Sequence, residues 1–117
     1  MDLTKKRCVP CEGGTPPLET SKVNELLLEL GSDWKLLSAT SSDGMKIVRE
    51  FKFKNFVKNM DFVNKVAELS ESEGHHPDLH ISYNKLTVEL WTHAVGGLSE
   101  NDFIVAAKID EIMKNEK

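Results

Sequence analysis

Apolar residues recur along this chain at two periods, and each switch between them marks a new element. Val23, Leu26, Leu27 and Leu30 fall at i, i+3, i+4 and i+7, which predicts an amphipathic helix over roughly 20–31. Thr20 or Ser21 is suited to cap its start and Gly31 to end it. Trp34 to Thr40 reads as a strand, and Ser41-Ser42-Asp43-Gly44 as a turn with Asp-Gly as its hairpin signal. Met45 to Phe53 is the return strand, with Ile47, Phe51 and Phe53 alternating against Lys46, Glu50 and Lys52. Asn55 is placed to cap a longer helix over roughly 56–72. Phe56, Met60, Val63 and Ala67 line its stripe, Phe62, Val66 and Leu69 widen it, and Gly74 stops it. Leu79, Ile81 and Tyr83 alternate in a third strand, and Asn84-Lys85 makes a tight turn. Leu86, Val88 and Leu90 alternate in a fourth, with Thr87, Glu89, Trp91 and His93 on its other face. After a Gly96-Gly97 loop, Ser99-Glu100-Asn101-Asp102 resembles a capping box with Asp in the Glu position. It opens a last helix, roughly 100–114, that buries Val105, Ala106, Ile109, Ile112 and Met113.

The order helix, two strands, helix, two strands, helix predicts an α+β fold: a four-stranded antiparallel sheet with three helices packed on one face. Residues 1–17, rich in Gly, Pro and charge, read as an extended arm, and 18–117 as one domain. A sheet covered on one face leaves edge strands that need a partner. The Leu86-to-Trp91 strand is long and carries no proline, so it is expected to offer such an edge for pairing subunits.

Composition narrows the function. The 117 residues suffice for one core, and 39% hydrophobic with 29% charged residues is an ordinary soluble balance. A net charge of −4 argues against direct binding of nucleic acid or an anionic membrane, either of which favours a basic face. No run approaches the roughly 18 apolar residues of a membrane span. Met1-Asp2-Leu3-Thr4-Lys5-Lys6-Arg7 lacks the apolar stretch of a signal peptide, and the expected location is the cytoplasm, with nucleus or organelle left open. Cys8 and Cys11 form one Cys-x-x-Cys in a loop context; a zinc ribbon needs a second pair, so free thiols are expected.

The chemistry concentrates in Glu71-Ser72-Glu73-Gly74-His75-His76-Pro77, answered by Trp91-Thr92-His93. Three of the chain's four histidines lie there. Imidazole titrates at about 6.5 when unperturbed, so it takes and gives protons at working pH. The histidine pair follows a helix C-terminus, where carbonyl dipoles favour a cationic ring. Three histidines also raise zinc, but adjacent histidines point in different directions and no convincing ligand set emerges. His80, opposite in alternation to Leu79 and Ile81, reads as structural.

Glu71, His75-His76-Pro77, Tyr83, His93 and Asp102, at their spacing, resemble the pterin-4a-carbinolamine dehydratases. Tyr83-Asn84-Lys85, Thr92-His93 and Gly97-Leu98-Ser99-Glu100 match as well. The arm Cys8-Val9-Pro10-Cys11-Glu12-Gly13-Gly14, Asp78-Leu79-His80 and Trp91-Thr92-His93-Ala94 are similar to the plant and protist branch. The resemblance spans roughly 18–112. It implies removal of water from 4a-hydroxytetrahydropterin to give quinonoid dihydropterin, in pterin recycling after aromatic amino acid hydroxylation, with no metal and no cofactor. It implies catalytic roles for His75, His76 and His93, with His76 orienting. It implies substrate-binding roles for Glu71, Pro77, Thr92 and Asp102, and for Trp34 unless that residue is core. It implies a homodimer or homotetramer. Two further readings are a dimerisation cofactor for a transcription factor and a role in molybdopterin metabolism.

Overall fold

The structure is a computed structural model that describes residues 3–5, 8, 18–31, 33–37, 45–92 and 95–115. After a single 3-10 turn, Leu3–Lys5, the elements run α1 (Thr20–Leu30), β1 (Lys35–Leu37), β2 (Lys46–Lys52), α2 (Phe56–Glu73), β3 (Asp78–Ser82), β4 (Lys85–Leu90) and α3 (Glu100–Asn115). All strand pairs are antiparallel, in the order β1-β2-β4-β3. The α+β architecture is the expected one. The extension of β1 through 38–40 and the Asp43-Gly44 turn lie outside the described residues.

Register decides which side chains meet the helices. Ile47 stands opposite Leu90, Arg49 opposite Val88 and Phe51 opposite Leu86, so these six share one face. Five of them are apolar and at most 2% exposed. α2 and α3 lay Phe62, Val66, Phe103, Ile104, Val105, Ala106 and Ile109 over that face, and α1 adds Val23 and Leu26. Each fully buried Leu, Ile or Phe contributes roughly 1.5–3 kcal/mol of transfer free energy. Phe51 and Phe53 pack against Phe62 with tilted rings at separations of 5.0 and 5.2 Å.

Arg49 is the charged exception on this covered face. Its guanidinium lies over the Phe51 ring and pairs with Asp110 of α3 at 2.5 Å and with Asp33 at 3.6 Å. Trp34, 3% exposed, donates its indole N–H to the same Asp110 at 2.9 Å. Burial raises the Asp110 carboxyl above its ordinary value, against the opposing pull of the Trp34 N–H and of Arg49. The arm also packs onto this layer: Leu3 is 4% exposed and belongs to the core.

Four local expectations need correction. The N-cap of α1 is Glu19, without a side-chain bond, rather than Thr20 or Ser21; Gly31 ends the helix as expected, its N–H on Leu27 O. The buried stripe of α2 is Asn59, Phe62, Val66 and Ser70, while Phe56 is 47% exposed and Ala67 is exposed too. Asn59 reads as polar but is buried: its Nδ2 donates to Tyr83 O at 3.0 Å and Lys85 O at 2.9 Å, while its Oδ1 meets no donor among the described residues. Tyr83 is not in the third strand; it is a turn residue at φ 50°, and β4 begins at Lys85. Finally, β4 is no edge. It is hydrogen-bonded to β2 on one side and β3 on the other, which leaves β1 and β3 as the edges.

Candidate active site

Three chain segments converge beside the α2 C-terminus. Gly74 takes the left-handed conformation at φ 67°, which a Cβ would strain. Its N–H donates to Ser70 O at 2.9 Å, and the His75 N–H donates to the same oxygen at 3.2 Å. This wrap ends the helix and turns His75 back towards α3. Beyond β4, the Thr92 N–H donates to Gly97 O at 2.8 Å, and the Thr92 carbonyl accepts from Gly96 N–H at 3.1 Å. Gly97 lies three residues before α3. At the α3 entrance the acidic half of the predicted capping box forms: the Ser99 N–H donates to Asp102 Oδ2 at 3.0 Å, while the Asp102 N–H donates to the Ser99 main-chain O at 3.1 Å.

Asp102 is the hub. Its side chain has no solvent exposure, and its Oδ1 lies 2.6 Å from His75 Nε2. Its Oδ2 accepts from Thr92 Oγ1 at 2.9 Å as well as from Ser99 N–H. The count of available protons fixes the neighbours. Thr92 has one hydroxyl proton and gives it to Asp102, so Ser99 Oγ, 2.8 Å away, donates to Thr92 Oγ1. With Asp102 as the carboxylate, which only accepts, the donor in this bond is His75 Nε2–H, and Nδ1 is the ring's second nitrogen. The His75 side chain is 11% exposed, which leaves it reachable yet held. The α3 N-terminus favours the negative charge on Asp102 in its first turn.

The other predicted residues do not all gather at this pair. His76 Nε2 lies 2.5 Å from Glu71 Oε2, but both side chains are exposed, at 60% and 79%, so this pair is solvent-screened and weak. Pro77 is half-buried between His76 and β3. Thr92, 5% exposed, has its hydroxyl committed to Asp102 and Ser99. Trp34 sits in the core with its indole N–H on Asp110, which makes it a packing residue. His93 lies outside the described residues. His80 is on the uncovered sheet face, 3.3 Å from Glu89, which Lys46 also pairs at 3.1 Å. Among the described residues no three of His, Cys, Asp and Glu cluster closely enough to hold a metal ion.

Two features near the pair escape a reading of the sequence. One is the Ser99 hydroxyl, legible only as part of a helix cap. The other is Glu73, 6% exposed, which accepts from Lys108 Nζ at 2.6 Å and from Cys8 N–H at 2.9 Å. Glu73 falls at i+7 from Val66 and i+3 from Ser70, on the buried face of α2, but its charge reads as that of a surface residue.

A profile of the family described as Pterin 4 alpha carbinolamine dehydratase matches residues 16–112. A Rickettsia canadensis relative named for that enzyme is 48% identical over 108 residues, covering 92% of this chain and 94% of its own. The Arabidopsis thaliana protein named pterin-4-alpha-carbinolamine dehydratase 2, mitochondrial, is 46% identical over 112 residues, covering 95% of this chain and 59% of its own. The crystal structure of a transcriptional coactivator/pterin dehydratase from Brucella melitensis superposes with a TM-score of 0.74 at 33% identity, covering 82% of this chain and 97% of that one. Four antiparallel strands under three helices, and a match that runs through both the histidine pair and the Asp102 box, place this chain in the pterin-4-alpha-carbinolamine dehydratase family.

Proposed function

We propose that this chain dehydrates a 4a-hydroxytetrahydropterin to the quinonoid dihydropterin, with His75 and His93 moving the protons. The observation that carries this reading is the bond between His75 Nε2 and the fully buried Asp102, 2.6 Å long. The reaction removes a proton from pterin N5, and the N–H electron pair becomes the C4a–N5 double bond. The C4a–O bond breaks with its pair on oxygen, which must gain a proton to leave as water. Asp102 holds the Nε2 hydrogen of His75, so the Nδ1 lone pair is available as a base. Once protonated, the ring is an imidazolium against a buried carboxylate, and can return the proton. His93 takes the complementary role. His76 and Glu71, paired at the exposed rim, bind and orient the substrate. Thr92 and Ser99 fix Asp102 rather than touching pterin.

The test is the rate of 4a-hydroxytetrahydropterin loss with and without catalytic amounts of protein. His75→Ala and His93→Ala should each lose roughly 10²–10⁴-fold in kcat with an unchanged circular dichroism spectrum. Full activity in both variants would overturn the assignment.

The Brucella relative's description as a coactivator favours a second reading, an interaction role beside the enzymatic one. Chelation is expected to leave the rate unchanged. A dimer built by pairing sheet edges uses β1 or β3, and sedimentation at micromolar concentration yielding only a 13.2 kDa species rules it out. A cytoplasmic site is proposed alongside an organellar one, since the Arabidopsis relative is named mitochondrial.

A further inference from the structure

Three ties meet beside the His75–Asp102 pair without belonging to it. Glu73 is the last residue of α2, two positions before His75. Its Oε2 accepts from Lys108 Nζ of α3 at 2.6 Å, and its Oε1 accepts from the Cys8 N–H of the arm at 2.9 Å. Cys8 Sγ lies 3.7 Å from the carbonyl of Asn101, the residue before Asp102. One carboxylate therefore joins the arm, the end of α2 and the middle of α3, and the arm in turn touches the start of α3.

The placement matters because the two partners of the catalytic bond hang from the clipped positions. His75 follows Glu73 across Gly74, whose backbone has the widest conformational freedom of any residue. The last turn of a helix frays unless it is tied. Glu73, 6% exposed, and Lys108, 17% exposed, form a tie shielded from water, unlike the exposed His76–Glu71 pair. Cys8 does not compete as a nucleophile. Burial, then Glu73, pushes its thiol up to about 12, so it stays an S–H group facing the Asn101 carbonyl.

We propose that Glu73, with Lys108 and Cys8, is a positioning clip that sets the His75–Asp102 geometry, making the Cys8 contact a working part of the dehydration site. This rests on the reading of His75 as the proton carrier. A displacement of about 1 Å at reacting groups costs roughly 10²-fold in rate. A clip that only stabilised the fold would leave kcat alone once the protein is folded.

The experiment compares full-length Glu73→Ala, Glu73→Gln and Lys108→Met with Arg49→Met, which destabilises a different ion pair. Steady-state kcat and KM are read below the melting temperature of every variant. The downfield proton resonance of His75 Nε2–H, assigned by its loss in His75→Gln, is followed in parallel. Glu73→Ala should lower kcat about tenfold or more, with KM nearly unchanged, and broaden the resonance. Glu73→Gln keeps an acceptor for the Cys8 N–H and should recover most of both. Arg49→Met should leave both as in the parent. Should Glu73→Ala fail to fold, Lys108→Met carries the same expectation of a lower kcat and a broadened resonance. The clip is overturned if the variant that folds keeps the parent's kcat and a sharp resonance. That outcome, with His75→Ala inactive, defeats the clip alone; an active His75→Ala defeats the site reading itself.

Discussion

Asp102→Asn keeps the shape of the hub and removes its charge, and the donors around it decide how the asparagine must sit. Oδ2 faces two donors, Thr92 Oγ1 at 2.9 Å and Ser99 N–H at 3.0 Å, so the asparagine carbonyl must take that side. Its NH2 group then faces His75 Nε2, which sits at 2.6 Å from Oδ1 in the parent. Two donors cannot bond, so the ring must shift its hydrogen to Nδ1 and accept at Nε2. The nitrogen that serves as base is then occupied. Loss of a general base costs roughly 10²–10⁴-fold in kcat. Stability falls less. Bonds to a charged acceptor are worth about 1 kcal/mol more than neutral ones, so the two retained bonds lose about 2 kcal/mol together. For a domain of this size that lowers Tm by roughly 8 °C. The assay pairs initial dehydration rates with imidazole nitrogen–proton correlation spectra, which report the tautomer directly. A folded Asp102→Asn protein with parental kcat, or with hydrogen still on His75 Nε2, refutes the reasoning.

Arg49→Met strips Asp110 of its cation while leaving only the Trp34 N–H, and should cost about 2–3 kcal/mol by urea unfolding. Arg49→Met with Asp110→Asn should cost less than Arg49→Met alone, and equal costs would show that the buried charge is not the cause. Cys8 should be alkylated by iodoacetamide at pH 8.5 far more slowly in the native chain than in urea; equal rates contradict its burial. The folded thiol keeps its proton up to about 12, whereas an unfolded one releases it from 9.0, so the unfolded state binds fewer protons in between. Stability relative to Cys8→Ala should therefore fall as pH rises through that window, and a flat difference disproves the shift. His80→Ala should keep full activity, since its contact with Glu89 lies on the uncovered sheet face; a large loss of kcat would move the site there.

Much of this protein is written locally. The switch between helical and strand periods depends only on neighbours in sequence, so all seven main elements and their α+β class could be read directly. Asn55 and Gly74 bracket α2 for equally local reasons: the Asn55 side chain accepts the Lys58 N–H, and Gly74 adopts the left-handed turn. The adjacent histidines and the Ser99–Asp102 box could be singled out in the same way. Relations between distant segments could not be read. A wide apolar stripe does not say which of its residues faces the sheet, and α2 turns Asn59 inward, where its amide reaches the Tyr83 and Lys85 carbonyls beyond the helix. Strand order is a non-local pairing, which is why a long proline-free strand proved central rather than an edge. Arg49 looks like a surface charge until Asp110, 61 residues later, is folded against it. Of two adjacent histidines, it is the one 27 residues from Asp102 that meets a buried carboxylate, while its neighbour stays in water with Glu71. The sequence by itself determined the elements, their apolar faces and the residue types available for proton transfer, because those depend on spacing and side-chain chemistry. The tertiary structure alone decided which charges are shielded and which imidazole is held, because burial and hydrogen-bond geometry exist only once distant segments share one space.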